Sequence, residues 1–134
     1  GDAAGWTGRD CVPWAGLLSY PSTSDGDAVS VAGNMLTGPE VLDAMVEAFR
    51  STSGAPLALR LLVALEAGDA AGGDKRGRMS AAIKTNRGDR YSWVDLRVDH
   101  HPAPLQELRR LYEERNKDYC ASFMLTRPRS LARL

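Results

Sequence analysis

Tyr91-Ser92-Trp93-Val94-Asp95-Leu96-Arg97-Val98-Asp99 decides the fold class, because apolar and charged side chains alternate along it from Val94 onward. A period of two places Val94, Leu96 and Val98 on one face of a strand and Trp93, Asp95, Arg97 and Asp99 on the other. Upstream, Asn86-Arg87-Gly88-Asp89-Arg90 is a polar turn, and Met79 to Thr85 is a second strand with unusually small side chains at Ser80, Ala81 and Ala82. The two strands make a hairpin. Small side chains on one of them fit a sheet packed tightly against another layer.

Helix signals flank this hairpin. Downstream, His101-Pro102-Ala103-Pro104 breaks the strand, and Leu105, Leu108, Leu111 and Tyr112 recur at helical spacing in a helix running to about Tyr119. Upstream, Pro56 to Ala67 is a helix apolar on most sides, with only Arg60 and Glu66 charged and Gly68 as its stop. Before it, Thr37-Gly38-Pro39-Glu40 has capping-box form, so a helix carrying Val41, Leu42, Met45, Val46 and Phe49 is expected to run to Ser53-Gly54. Ala28 to Leu36 is a strand interrupted at Gly33-Asn34, and Trp6 to Trp14 suggests a strand end and a tight loop. The expected class is α+β, with about four strands and three helices.

Composition narrows the function. The chain has 134 residues, 43% hydrophobic and 25% charged, which suits one globular domain. Seventeen basic and seventeen acidic residues leave no net field for nucleic acid or an anionic membrane. No apolar run reaches the roughly 20 residues of a membrane span, and Gly1-Asp2-Ala3-Ala4-Gly5 lacks signal-peptide layout, so the expected compartment is cytoplasmic. Cys11 and Cys120 are too few and too distant for a disulfide scaffold or a zinc cluster and are expected to be reduced.

The residues that bear on chemistry cluster in Ala71-Gly72-Gly73-Asp74-Lys75-Arg76-Gly77-Arg78. Glycines let backbone amides approach a ligand, so this loop suits an anion or oxyanion pocket. It equally suits a helix C-cap followed by a surface turn. Asn34 beside Gly33 either lines that pocket or holds a turn through its own side chain. Ser80 has no identifiable base, and Thr7 and Cys11 suit structural roles. Asp95, Asp99, His100 and His101 bring oxygen and nitrogen donors together, with Asp99 and His101 as the weak metal candidates. Arg97 lies between the two aspartates, which favours an ion-pair ladder, and no cofactor is expected. Glu113 and Lys117 suit an exposed pair four residues apart, and Trp6, Trp14 and Trp93 suit core packing.

The order of these motifs resembles a known family. Thr7-Gly8 with Cys11 and Trp14-Ala15-Gly16, then Gly33-Asn34-Met35-Leu36 with Ala44-Met45, then the glycine loop with Ser80-Ala81-Ala82, then Asp95 to Asp99 with His101-Pro102, are similar in order to the Ntn-hydrolase-like domain of unknown function 1028. The likeness spans roughly residues 5 to 112. It implies the C-terminal half of an αββα sandwich of the N-terminal-nucleophile type, with residues 1–115 as a partial domain and 116–134 as a poorly ordered extension. It also implies amide or acyl hydrolysis, with the nucleophile on a preceding half that this chain lacks. Two positions depart from the pattern: Trp6, where a histidine is expected, and His100, where an aspartate is.

An N-terminal nucleophile uses its own α-amine, of pKa about 8, as base. Gly1 has the amine without the nucleophile. On this reading no catalytic residue lies in the chain, and the binding groups are Gly33, Asn34, Gly72, Gly73, Asp74 and Arg76. Asp74 and Arg76 would hold the amine and carboxylate of an amide or amino-acid-like molecule. The partner is the missing half or a second copy. The other reading is a non-catalytic interaction module that assembles through its sheet edge.

Overall fold

Two antiparallel hairpins, each backed by helix, make up the computed structural model, which describes residues 3–21, 27–88 and 91–126, with side chains as far as Lys117. Strands β1 (Gly16–Tyr20) and β2 (Val29–Gly33) pair first, followed by helices α1 (Glu40–Ser51) and α2 (Leu57–Ala70). Strands β3 (Ala81–Thr85) and β4 (Val94–Val98) pair next, and α3 (Pro104–Thr126) closes the described chain. The fold is mixed α+β with two small antiparallel sheets and three helices among the described residues. None of the helices is long and apolar enough to cross a membrane.

The expected hairpin forms, with Ile83 opposite Leu96 and Thr85 opposite Val94. One-sided burial explains the alternation. Ile83, Val94 and Val98 pack with Ala58 and Leu62 of α2 and with Leu108 and Tyr112 of α3, while Ala82, Lys84, Asp95 and Arg97 face outward. Removing these apolar side chains from water is the main stabilising term. A second cluster joins Val31 of β2 to Leu42 and Val46 of α1, with Trp14 and Leu18 against it. The two helices α1 and α2 lie against each other and link the clusters.

Several local expectations change. The first hairpin strand lies at Gly16–Tyr20, not within Trp6 to Trp14, because Trp14 folds back over Gly16 to pack on the α1 cluster. Trp6 is 85% exposed and takes no part in a core. The capping box is not formed: Pro39 is the N-cap residue, and the Thr37 amide donates to the Gly73 carbonyl at 3.0 Å. Gly68 does not stop α2. The helix continues to Ala70, and Gly68 is buried against Met45, where a Cβ would stand 2.6 Å from its Cγ. The glycine permits close approach of the two helices.

Arg60 is also buried. It donates to the Phe49 carbonyl near the end of α1, pairs with Asp27 at 2.5 Å and lies 3.9 Å over the Phe49 ring. Glu66 binds Arg109 of α3 through two bonds of 2.5 Å, which holds that guanidinium more firmly protonated than usual. Glu113 pairs with Arg109 and Lys117 with Glu114, so the expected Glu113–Lys117 pair is replaced. The α3 helix crosses residue 116 without a break, and residues 127–134 lie outside the described residues.

Candidate functional site

The turn after α2 is built on three glycines with positive φ: Gly72 at 121°, Gly73 at 55° and Gly77 at 89°. Side chains resist that region, so residue type dictates the turn. Gly72 meets a second restriction, since a Cβ there would stand 2.2 Å from Thr37 Oγ1. The Gly72 amide donates to the Asp69 carbonyl at 3.1 Å and the Gly73 amide to the Gly68 carbonyl at 3.0 Å. These bonds satisfy two of the last carbonyls of α2. Both amides are therefore engaged at the helix terminus rather than presented as oxyanion donors.

From there the chain is laced to the segment after β2. Leu36 and Asp74 form an antiparallel bridge, the Lys75 amide donates to the Met35 carbonyl at 2.9 Å, and Lys75 Nζ donates to the Pro13 carbonyl at 2.6 Å. Met35 and Leu36 donate in turn to the Val12 and Trp14 carbonyls, each at 3.0 Å. Met35 itself has a φ of 56°, which is uncommon for a residue with a side chain. Three segments distant in sequence thus converge on one backbone network.

Asp74 and Arg76 find each other. Arg76 Nε and Nη2 donate to Asp74 Oδ1 and Oδ2 at 3.0 and 2.6 Å, and the Arg76 amide adds a bond to Oδ1 at 2.8 Å. The guanidinium first, and then the backbone bond, lower the Asp74 pKa to about 2. The carboxylate is therefore ionised throughout the neutral range.

Beside this turn lies a cleft of about 260 Å³ between the two hairpins and the helices. Its apolar walls include Leu36, Met45 and Leu65, and Asp69, Asp74, Arg78 and Ser80 are its polar members. Arg78 and Asp69 pair at 2.5 Å. Of the residues expected to bind, Gly73 and Asp74 line the cleft; Gly33, Asn34, Gly72 and Arg76 stand outside its wall. Asn34 is exposed in the bend after β2, and its side chain makes no hydrogen bond among the described residues, so it does not hold the turn. Asp69 and Arg78 fall outside the binding residues the sequence points to, because their pairing depends on α2 continuing to Ala70.

The donors near the second hairpin are committed elsewhere. Asp95 pairs with Lys84 across the strands at 3.5 Å, Asp99 with Arg97 at 3.2 Å, and His101 Nδ1 accepts the Ala103 amide at 3.0 Å just before α3. No three acidic, histidine or cysteine side chains gather as a metal-binding group among the described residues. Cys11 is a half-buried free thiol.

The family of unknown function DUF1028 matches residues 1–108. The chain belongs to that family. Its fold is similar to the crystal structure of protein SPO2555 from Silicibacter pomeroyi, of the same family, with 35% identity and a TM-score of 0.67. That likeness covers 83% of this chain and 44% of SPO2555, so this chain spans less than half the length of its DUF1028 relative. No curated protein matches it. The family match takes in both hairpins and the glycine turn and ends four residues past the start of α3.

Proposed function

We propose that this DUF1028 chain is the ligand-holding side of an amide or acyl hydrolase of the N-terminal-nucleophile type, part of an αββα sandwich whose attacking residue lies in a separate segment. The observation that carries this reading is the cleft at the glycine turn, where an ionised Asp74 and the Asp69–Arg78 pair rim an apolar floor. A small cleft with few convergent polar groups is the usual form of a small-molecule site. Asp74 holds the amine of an amino-acid-like amide, and Arg78, on the same rim, meets its carboxylate. Ala82, on the outward face of β3, and Ser80 just before that strand also line the cleft, which leaves room for a second sheet layer.

In this reaction a hydroxyl or thiol attacks the acyl carbon, and its proton passes through the free α-amine to the departing amine. The Asn34 side-chain amide, exposed and without a competing partner among the described residues, stabilises the oxyanion, since the neighbouring Met35 and Leu36 amides are engaged by Val12 and Trp14. The test is a panel of short amides, γ-glutamyl compounds and acylated amines. Turnover by SPO2555, with binding but no turnover by this chain, is the expected result. Failure of every compound to bind either protein would sink the proposal.

A second reading, assembly through the sheets, draws on the outward face of β3–β4, where Ala82, Lys84, Asp95 and Arg97 are exposed. It requires a monodisperse homo-oligomer by sedimentation, with no ligand shifts at the glycine turn.

A further inference from the structure

A second cavity, of about 490 Å³, lies at the far end of the β3–β4 hairpin, where the start of α2 and the middle of α3 meet it. Trp93 lines it. The Arg87 guanidinium stacks 3.7 Å from the centroid of the Trp93 ring, and that of Arg115 lies 5.7 Å from it. Arg115 also donates to the Trp93 carbonyl and, at 3.4 Å, to Asn116 Oδ1. No carboxylate lines this cavity among the described residues.

Six of the ten described arginines, by contrast, are paired with an acid. Arg60, Arg76, Arg78, Arg97, Arg109 and Arg110 each meet an aspartate or glutamate. Arg87 has no acidic partner among the described residues, although it is held flat on an indole face. Stacking restrains the plane of a guanidinium while leaving its edge of N–H groups open, which is the arrangement that receives a carboxylate through two bonds. The remaining wall is largely apolar, with Pro56, Leu57 and Tyr112. The first turn of α2 bears no acid and no side-chain cap, so the positive end of that helix adds to the same field.

We infer that this cavity is a binding site for a small carboxylate with a flat apolar body, its carboxylate on the Arg87 fork and its body against Trp93, Leu57 and Tyr112. The site is separate from the glycine-turn cleft, with which it shares no lining residue, and does not depend on the hydrolase reading. A single available fork suits a monoanion. The apolar wall selects against a bare inorganic anion.

Calorimetric titration of the full chain with 2-naphthoate, 2-naphthamide and inorganic phosphate tests this. Naphthoate is expected to bind at least tenfold more tightly than the amide, and phosphate alone more weakly than either. Arg87→Gln should weaken naphthoate at least tenfold while Asp74→Ala leaves it unchanged. Arg87 is exposed, so the variant is expected to keep its fold, checked by circular dichroism. Should Arg87→Gln unfold the chain, the deciding measurement becomes protection of Arg87 from phenylglyoxal by naphthoate in the unaltered chain. Equal binding of acid and amide, unchanged affinity in a folded Arg87→Gln variant, absence of protection, or tighter binding of phosphate would each overturn the inference.

Discussion

Leu36 and Asp74 face each other across a single antiparallel bridge, and this contact joins the end of the first hairpin to the turn that follows α2. It is flanked by the Thr37–Gly73 and Lys75–Met35 bonds at 3.0 and 2.9 Å, so the backbone of Asp74 is fixed independently of its side chain. The Asp74 carboxylate is thereby held at the rim of the cleft, where the Arg76 guanidinium meets it.

The first prediction concerns pH. Arg76 holds the Asp74 pKa below its ordinary value of 3.8, at about 2. A depressed pKa means the unfolded chain takes up this proton first. The pair's contribution to stability is thus complete above the ordinary value and lost as pH falls through about 2. Both side chains reach solvent, so the contribution is small. Carbon-detected NMR titration should give the low value in the intact chain. In Arg76→Gln it should rise yet stay below 3.8, because the residue 76 amide still donates to the carboxylate.

Arg60 gives a stability prediction. Its guanidinium answers the Phe49 carbonyl near the C-terminus of α1, one of the acceptors a helix cannot satisfy internally. Arg60→Met keeps much of the volume but removes those bonds, and should lower the unfolding free energy by about 2 kcal/mol. Arg60→Lys should recover only part, since an ammonium lacks the planar fork. Urea unfolding measures both. An unchanged midpoint for Arg60→Met would show that Thr52, which also donates to Phe49, suffices.

Gly68 gives another. Gly68→Val places branched atoms where Met45 Cγ and Sδ already stand, 2.6 and 3.0 Å from an ideal Cβ. Overpacking of this kind costs about 2 kcal/mol. Adding Met45→Ala should return part of the loss, because the clashing atoms are gone. Additive loss in the double variant would place the strain elsewhere.

The parts of the fold legible in the sequence are those in which one physical signal dominates. Val94, Leu96 and Val98 alternate with charges because one face of β4 is buried and the other is open, and the hairpin follows. Gly16 to Tyr20 hides its strand: Leu17 and Leu18 are adjacent, so no period of two stands out. Gly68 resembles a helix stop because glycine serves both chain reversal and close helix packing, and only the position of Met45 separates the two. At the candidate site, the glycine turn and Asp74 are legible from residue type. The Asp69–Arg78 pair is not, since it depends on where α2 ends, and the Arg87–Trp93 stack depends on how the polar turn folds back.

The last prediction separates function from scaffold at the glycine turn. Asp74→Ala leaves the Leu36 bridge intact, because that contact is made by backbone, and removes the solvent-reaching ion pair with Arg76 together with the bond from the Arg76 amide. Asn34→Ala removes a side chain with no hydrogen bond among the described residues. Neither should move the thermal midpoint by more than a degree or two, in keeping with surface substitutions worth about 0.5 kcal/mol or less. If the cleft holds an amino-acid-like amide, Asp74→Ala should weaken its binding at least tenfold, because the ligand amine loses its counter-ion. Asn34→Ala should impair turnover in the assembled enzyme rather than binding, as a donor to a developing oxyanion does. A fall in stability as large as the fall in binding would assign Asp74 to the framework, and undiminished turnover without Asn34 would remove it from the chemistry.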